Sequence, residues 1–118
     1  MTKPQVLRHL DADDLADRAA ERLLSQVIDL QADGRIVQLC LTGGRIAHRM
    51  YAKLGELVEG SDLDPCRLEL WWGDERFVPT DDHDRNAGPT LALLAGHFAL
   101  DPARTHPMPA ADGVVDAA

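Results

Sequence analysis

Two apolar periods alternate along this chain, and that alternation restricts the fold more than any other feature. Leu15, Ala19, Leu23, Val27 and Leu30 recur at helical spacing behind Asp11, Asp13 and Asp14, which supply an N-cap and the negative charge that a helix start prefers. Gly34 is placed to stop this helix. Ile36 to Leu41 is a short apolar run of the kind that forms a buried parallel strand. After Thr42-Gly43-Gly44, a second helical pattern carries Ile46, Met50, Leu54 and Leu57 on one face. Arg67 to Trp72 is a second strand, with Leu68, Leu70 and Trp72 alternating. A third helix is predicted from about Asn86 to Phe98, and one short strand near His106 and Met108. Gln5 to Leu10 reads as an edge strand. Strands alternating with helices imply an α/β fold with a mostly parallel sheet and right-handed crossovers. From Asp112-Gly113-Val114 onward no closing helix or strand pattern follows, so the sheet reads as incomplete at its C-terminal end.

The 118 residues suit one domain with a single core. Twenty acidic against twelve basic residues give a net charge of −8, which argues against nucleic acid and an anionic membrane as partners. It leaves room for a small anion held by local N–H groups and one or two Arg, because salt screens distant charges within about 10 Å. No apolar signal segment opens the chain, and no stretch approaches the ~18 apolar residues of a membrane span. Cys40 and Cys66 form neither a CxxC pair nor a metal-like spacing. A cytoplasmic setting is the expectation.

In an open α/β sheet, ligands bind at the carboxyl ends of the strands. Two unusual stretches occupy such ends. Leu41-Thr42-Gly43-Gly44 lets the backbone approach a ligand closely, and the following helix offers free N–H groups to a phosphate. Thr42 adds a hydroxyl and Arg45 a cation. The alternative is a tight strand-to-helix turn with no ligand. Trp72-Gly73-Asp74-Glu75-Arg76-Phe77-Val78-Pro79 places two carboxylates and a guanidinium after the second strand. Neighbouring side chains there point different ways, so one can face the cleft while another braces the loop. Arg suits bidentate capture of phosphate. The alternative is a salt-bridged surface turn, worth about 0–1 kcal/mol per ion pair.

Other candidates read as structural. Asp81-Asp82-His83-Asp84 lacks the separated ligands of a metal site and reads as a solvated acidic loop, so no metal is assigned. His48 and His97 read as packing or surface residues, Trp71 and Trp72 as core and cleft wall, and Cys40 as core.

Together, Leu41-Thr42-Gly43-Gly44, the Trp72–Pro79 stretch, Asp82, Asp84-Arg85-Asn86 and His106-Pro107-Met108-Pro109 resemble the 6-phosphogluconolactonase family, within the glucosamine/galactosamine-6-phosphate isomerase superfamily. The resemblance implies a Rossmann-like three-layer α/β fold, of which residues 1–118 are the N-terminal portion of a single lactonase domain. It implies hydrolysis of 6-phosphoglucono-δ-lactone to 6-phosphogluconate in the pentose phosphate pathway, with no cofactor. It places Thr42, Gly43, Gly44, Arg45, Asp74, Glu75, Arg76 and Asn86 at the substrate cleft. Arg45 and Ile46 stand where the family often has Ser or Thr and then Pro, and Arg85 where it often has Ser. The family's general-base His lies in an Asp-Gly-His motif, whereas here Asp112-Gly113 is followed by Val114. No catalytic base is therefore assigned, and His83 and His106 are not put in its place; the general-base His is expected in a missing C-terminal part, and the 118 residues alone are expected to be inactive. The rival readings are an amino-sugar phosphate deaminase or isomerase of the same fold and a non-catalytic sugar-phosphate-binding remnant.

Overall fold

The computed structural model describes residues 4–112. Its first helix, α1 (Ala12–Ala32), starts where the Asp11 carboxylate accepts from the Asp14 N–H at 2.8 Å, and the Leu10 N–H donates back to Asp14. The chain leaves α1 through Asp33 and Gly34 and enters strand β1 (Val37–Leu41). Helix α2 (Arg45–Val58), strand β2 (Leu68–Trp72), helix α3 (Ala87–Ala95) and strand β3 (Thr105–His106) follow, with short 3-10 turns at Pro65–Arg67 and Pro102–Arg104. The strands form one parallel sheet in the order β1-β2-β3. Val37 pairs with Leu68, Leu41 with Trp72, and Trp71 with His106.

The α/β class, the parallel sheet and the helix–strand order agree with the sequence reading. Strand alternation fixes where the core lies. Val37, Leu41, Leu68, Leu70 and Trp72 point to one face and join Ala20, Val27, Tyr51, Leu54 and Leu94 from the three helices in a single buried cluster. The opposite face carries Gln38, Cys40, Glu69, Trp71 and His106, and no helix among the described residues covers it. The described residues thus supply two layers of a three-layer arrangement. On the open face the Trp71 and His106 rings stack, with centroids 4.0 Å apart.

Several local expectations are corrected. Cys40 is exposed rather than core, because the register turns it to the uncovered face. Residues 5–10 form no strand: Val6 and Leu10 are largely exposed, and no described strand pairs with them. The buried stripe of α1 is Ala16, Ala20, Val27 and Gln31, while Leu15 and Leu30 remain exposed. Alanines let α1 lie close against α2, and that proximity outweighs the larger side chains in choosing the face. In α2 the buried residues are Tyr51, Leu54, Gly55 and Val58, and Ile46 is exposed. Helix α3 ends three residues before Phe98, and β3 stops short of Met108. The sequence from Gly113 onward lies outside the described residues.

Gln31 is a buried polar residue with all its bonding internal. Its amide nitrogen donates to the carbonyls of Asp64 (2.9 Å) and Arg67 (3.1 Å), and its amide oxygen accepts from the Asp64 N–H (2.8 Å). The end of α1 thereby fixes the turn that launches β2, which sets the height of the β2 C-terminal end where the candidate site lies.

Candidate functional site

Because Leu41 and Trp72 are register partners, the loops leaving β1 and β2 emerge side by side. The Gly73 N–H donates to the Leu41 carbonyl (2.9 Å), extending the pairing one step past the strands. The Thr42 hydroxyl donates to an Asp74 carboxylate oxygen across the gap (3.3 Å). Tyr51, buried in α2, holds Thr42 from below: its hydroxyl accepts from the Thr42 N–H (3.0 Å) and donates to the Thr42 carbonyl (3.1 Å). Burial pushes the Tyr51 phenol up, so it stays a neutral donor and acceptor at physiological pH.

Gly44 is the N-cap of α2 with φ +108, a conformation that a side chain rarely tolerates. Gly43 meets a different constraint. A Cβ there would collide with the Asn86 side chain, which lies directly against the glycine. Asn86 Nδ2 also donates to the Asp74 carbonyl (3.2 Å). One amide therefore bridges the Gly-Gly loop and the acidic turn.

The helix starts differ in a telling way. Asp11 caps α1, and the Glu75 carboxylate caps α3 from outside the helix, accepting from the N–H groups of Asn86 (2.6 Å) and Ala87 (2.9 Å). Helix α2 has no side-chain cap and no acidic residue in its first turn. Its first N–H groups and positive dipole end lie behind Gly43-Gly44 with no side-chain cap.

Glu75 is accordingly an internal brace. Its side chain is 2% exposed and it also accepts from the Arg76 N–H (2.9 Å). Burial works to raise its pKa, but the three backbone N–H donors from Asn86, Arg76 and Ala87, with a smaller contribution from Arg85, hold it below the ordinary glutamate range. Thr42, Gly44, Arg45, Asp74 and Arg76 are solvent-exposed, and Gly43 and Asn86 partly so. Among the described residues the Arg76 and Arg45 guanidinium groups make no ion pair. The two cavities beside α3, of about 320 and 300 Å³, include none of these residues.

Arg85, which in the sequence is only a departure from a pattern, proves to be buried, with 2% side-chain exposure. It donates to the carbonyls of Arg76 (3.0 Å), Met108 (2.7 Å) and Pro109 (3.3 Å) and faces Glu75 at 3.5 Å. Farther along, Asp112 accepts from the Thr80 N–H and hydroxyl, which hold its carboxyl below the usual range. Asp82, His83 and Asp84 cluster on the exposed loop, with carboxylates and imidazole in mutual contact only. His97 pairs with Glu59, His106 with Glu69 and His9 with Asp14. No described histidine hydrogen-bonds to a cleft residue.

Comparison with known proteins agrees with the fold. Residues 10–118 match the family described as glucosamine-6-phosphate isomerases/6-phosphogluconolactonase. The chain is similar to the 6-phosphogluconolactonase of Streptomyces coelicolor (40% identity over 110 residues, 93% of this chain and 42% of the relative). It is also similar to that of Mycobacterium leprae (35% over 103 residues, 87% and 41%). Among solved structures, that of 6-phosphogluconolactonase from Trypanosoma brucei aligns with a TM-score of 0.75 at 22% identity, over 89% of this chain and 39% of the other, and so bears on the fold alone. A structure described as devB protein aligns at 0.67 with 28% identity, over 77% and 38%. The chain spans about two fifths of the length of the curated relatives it matches. With the family match extending from the start of α1 through all the described strands, the chain belongs to the glucosamine-6-phosphate isomerase/6-phosphogluconolactonase family.

Proposed function

We propose that this chain forms the sugar-phosphate-binding, N-terminal portion of a lactonase domain that hydrolyses 6-phosphoglucono-δ-lactone to 6-phosphogluconate in the cytoplasm. The observation that carries the reading is the N-terminus of α2 behind Gly43-Gly44, which has no side-chain cap, at the same end of the sheet as the exposed Arg76, whose guanidinium makes no ion pair among the described residues. A dianionic phosphate matches both. Hydrogen bonds to a charged group are worth roughly 1.5–3 kcal/mol each, against about 0.3–1 kcal/mol for the helix dipole, so N–H and guanidinium contacts dominate binding. Asp74, exposed and tethered through Thr42, is placed to accept from sugar hydroxyls. Asn86 and Glu75 hold the two loops in register.

Hydrolysis then requires water activated by a general base, attack on the lactone carbonyl, stabilisation of the developing oxyanion by N–H groups or Arg, and departure of the ring oxygen with a proton. The residues of the cleft supply binding and electrostatics. The base, by this reading, is a histidine from outside the described residues. Two free cysteines and the absence of any helix long and apolar enough to cross a membrane among the described residues support the cytoplasmic assignment. The reading is tested in the whole lactonase domain, base included, by comparing turnover of the lactone with that of glucosamine 6-phosphate. Lactone hydrolysis alone is the expected result. Turnover of the amino sugar alone would assign the cleft to the isomerase branch.

A further inference from the structure

The buried Glu75–Arg85 pair grips both sides of one residue. Glu75 accepts from the Arg76 N–H at 2.9 Å, and Arg85 donates to the Arg76 carbonyl at 3.0 Å. Both polar groups of the Arg76 backbone are thus held by two side chains that are each 2% exposed. The Arg76 side chain, by contrast, makes no ion pair among the described residues. The same Arg85 guanidinium reaches the Met108 and Pro109 carbonyls, so it ties the turn after β2 to the segment after β3. Arg85 Nε faces Glu75 at 3.5 Å and has no hydrogen-bond partner of its own, so the pair is set by charge and by the fork of the other two nitrogens.

We infer that Arg85 is a positioning residue for the anion site: it fixes the main chain from which Arg76 projects and does not touch the ligand itself. This rests on the reading of Arg76 as a phosphate ligand. The geometry asks for a planar fork. A lysine at the same place offers one compact ammonium, which cannot span carbonyls on two separate segments while still facing Glu75. With Lys, the Arg76 carbonyl loses its side-chain donor and keeps only the Val78 N–H at 3.0 Å, so the turn gains freedom, although the positive charge beside Glu75 is kept.

The test is a double-mutant cycle with inorganic phosphate as the probe, read by titration calorimetry on the full chain. Arg85→Lys is expected to weaken phosphate binding about tenfold, the size of one displaced charge-assisted contact. Combined with Arg76→Ala it is expected to add no further loss, because Arg85 acts only through Arg76. Should Arg85→Lys fail to fold by circular dichroism, Glu75→Gln serves in the same cycle, with the same non-additivity expected. Additive losses, or undiminished phosphate binding in a folded Arg85→Lys protein, would overturn the inference. If Arg76→Ala alone leaves phosphate binding intact, the reading of Arg76 as the ligand fails first, and that outcome is distinguishable from the others.

Discussion

The single Tyr51 hydroxyl satisfies both backbone groups of Thr42, accepting from its N–H and donating to its carbonyl. Thr42 is the last residue before the Gly-Gly turn, so a helix-core side chain sets the starting point of that loop. Tyr51→Phe removes the partner of both groups while keeping the ring. The expected loss is about 1–3 kcal/mol of stability, the cost of leaving a backbone group without its bond. In the whole lactonase domain, base included, a rise in KM for the lactone with a smaller change in kcat should accompany it. Thermal denaturation and steady-state kinetics on the same preparation check both, and an unchanged KM would separate the hydroxyl from the loop.

Gly43 and Gly44 are expected to fail for different reasons. Gly44→Ala puts a side chain at an extended positive-φ position (φ +108, ψ 159) that is essentially glycine-only, at about 1–3 kcal/mol. Gly43→Ala instead displaces Asn86, since the new Cβ would occupy the space of its side chain. Removing that side chain should therefore rescue packing: Gly43→Ala with Asn86→Ala is expected to be more stable than the sum of the two single losses. Denaturant melts of the four proteins measure this. Strict additivity would contradict the contact.

Glu75 links the site to acid stability. Its folded pKa lies below that of the unfolded chain, so its contribution is present above the ordinary glutamate range, about pH 4.3, and fades as pH falls through the lower folded value. Glu75→Gln should lower stability at neutral pH and leave a flatter profile in acid. Melting temperatures of the wild type and variant between about pH 3 and 7 report it. Parallel curves across the range would show that Glu75 titrates alike in both states.

These relationships explain which parts of the molecule were readable from its residues. Helix and strand order follows from periodicity, because the period of burial is set locally by backbone geometry. The Asp11 cap was legible for the same reason. The face that α1 presents was not, since Ala16 and Ala20 win through close approach to α2, a tertiary effect that hydrophobicity alone ranks backwards. Exposure of Cys40 depends on what covers the second face of the sheet, and no local pattern carries that. At the site, the two loops were visible as strand-end motifs. The division of labour between Asp74 and Glu75 was not, because Glu75 turns inward to cap a helix that begins twelve residues later. Arg85 gave only the signal of a lone cation in an acidic loop. Tyr51 gave the signal of a phenol at a core position, which needs a partner when buried.

The most direct measurement is steady-state hydrolysis of 6-phosphoglucono-δ-lactone by the whole lactonase domain, this portion joined to the one that carries the general-base histidine, wild type beside Arg76→Ala. The expected result is turnover by the wild type and a fall in kcat/KM of about 10- to 100-fold in the variant, the loss of one or two charge-assisted contacts to phosphate. Equal kcat/KM for the two proteins, or no lactone turnover by the wild type, would contradict the assignment of this cleft to a sugar-phosphate lactone.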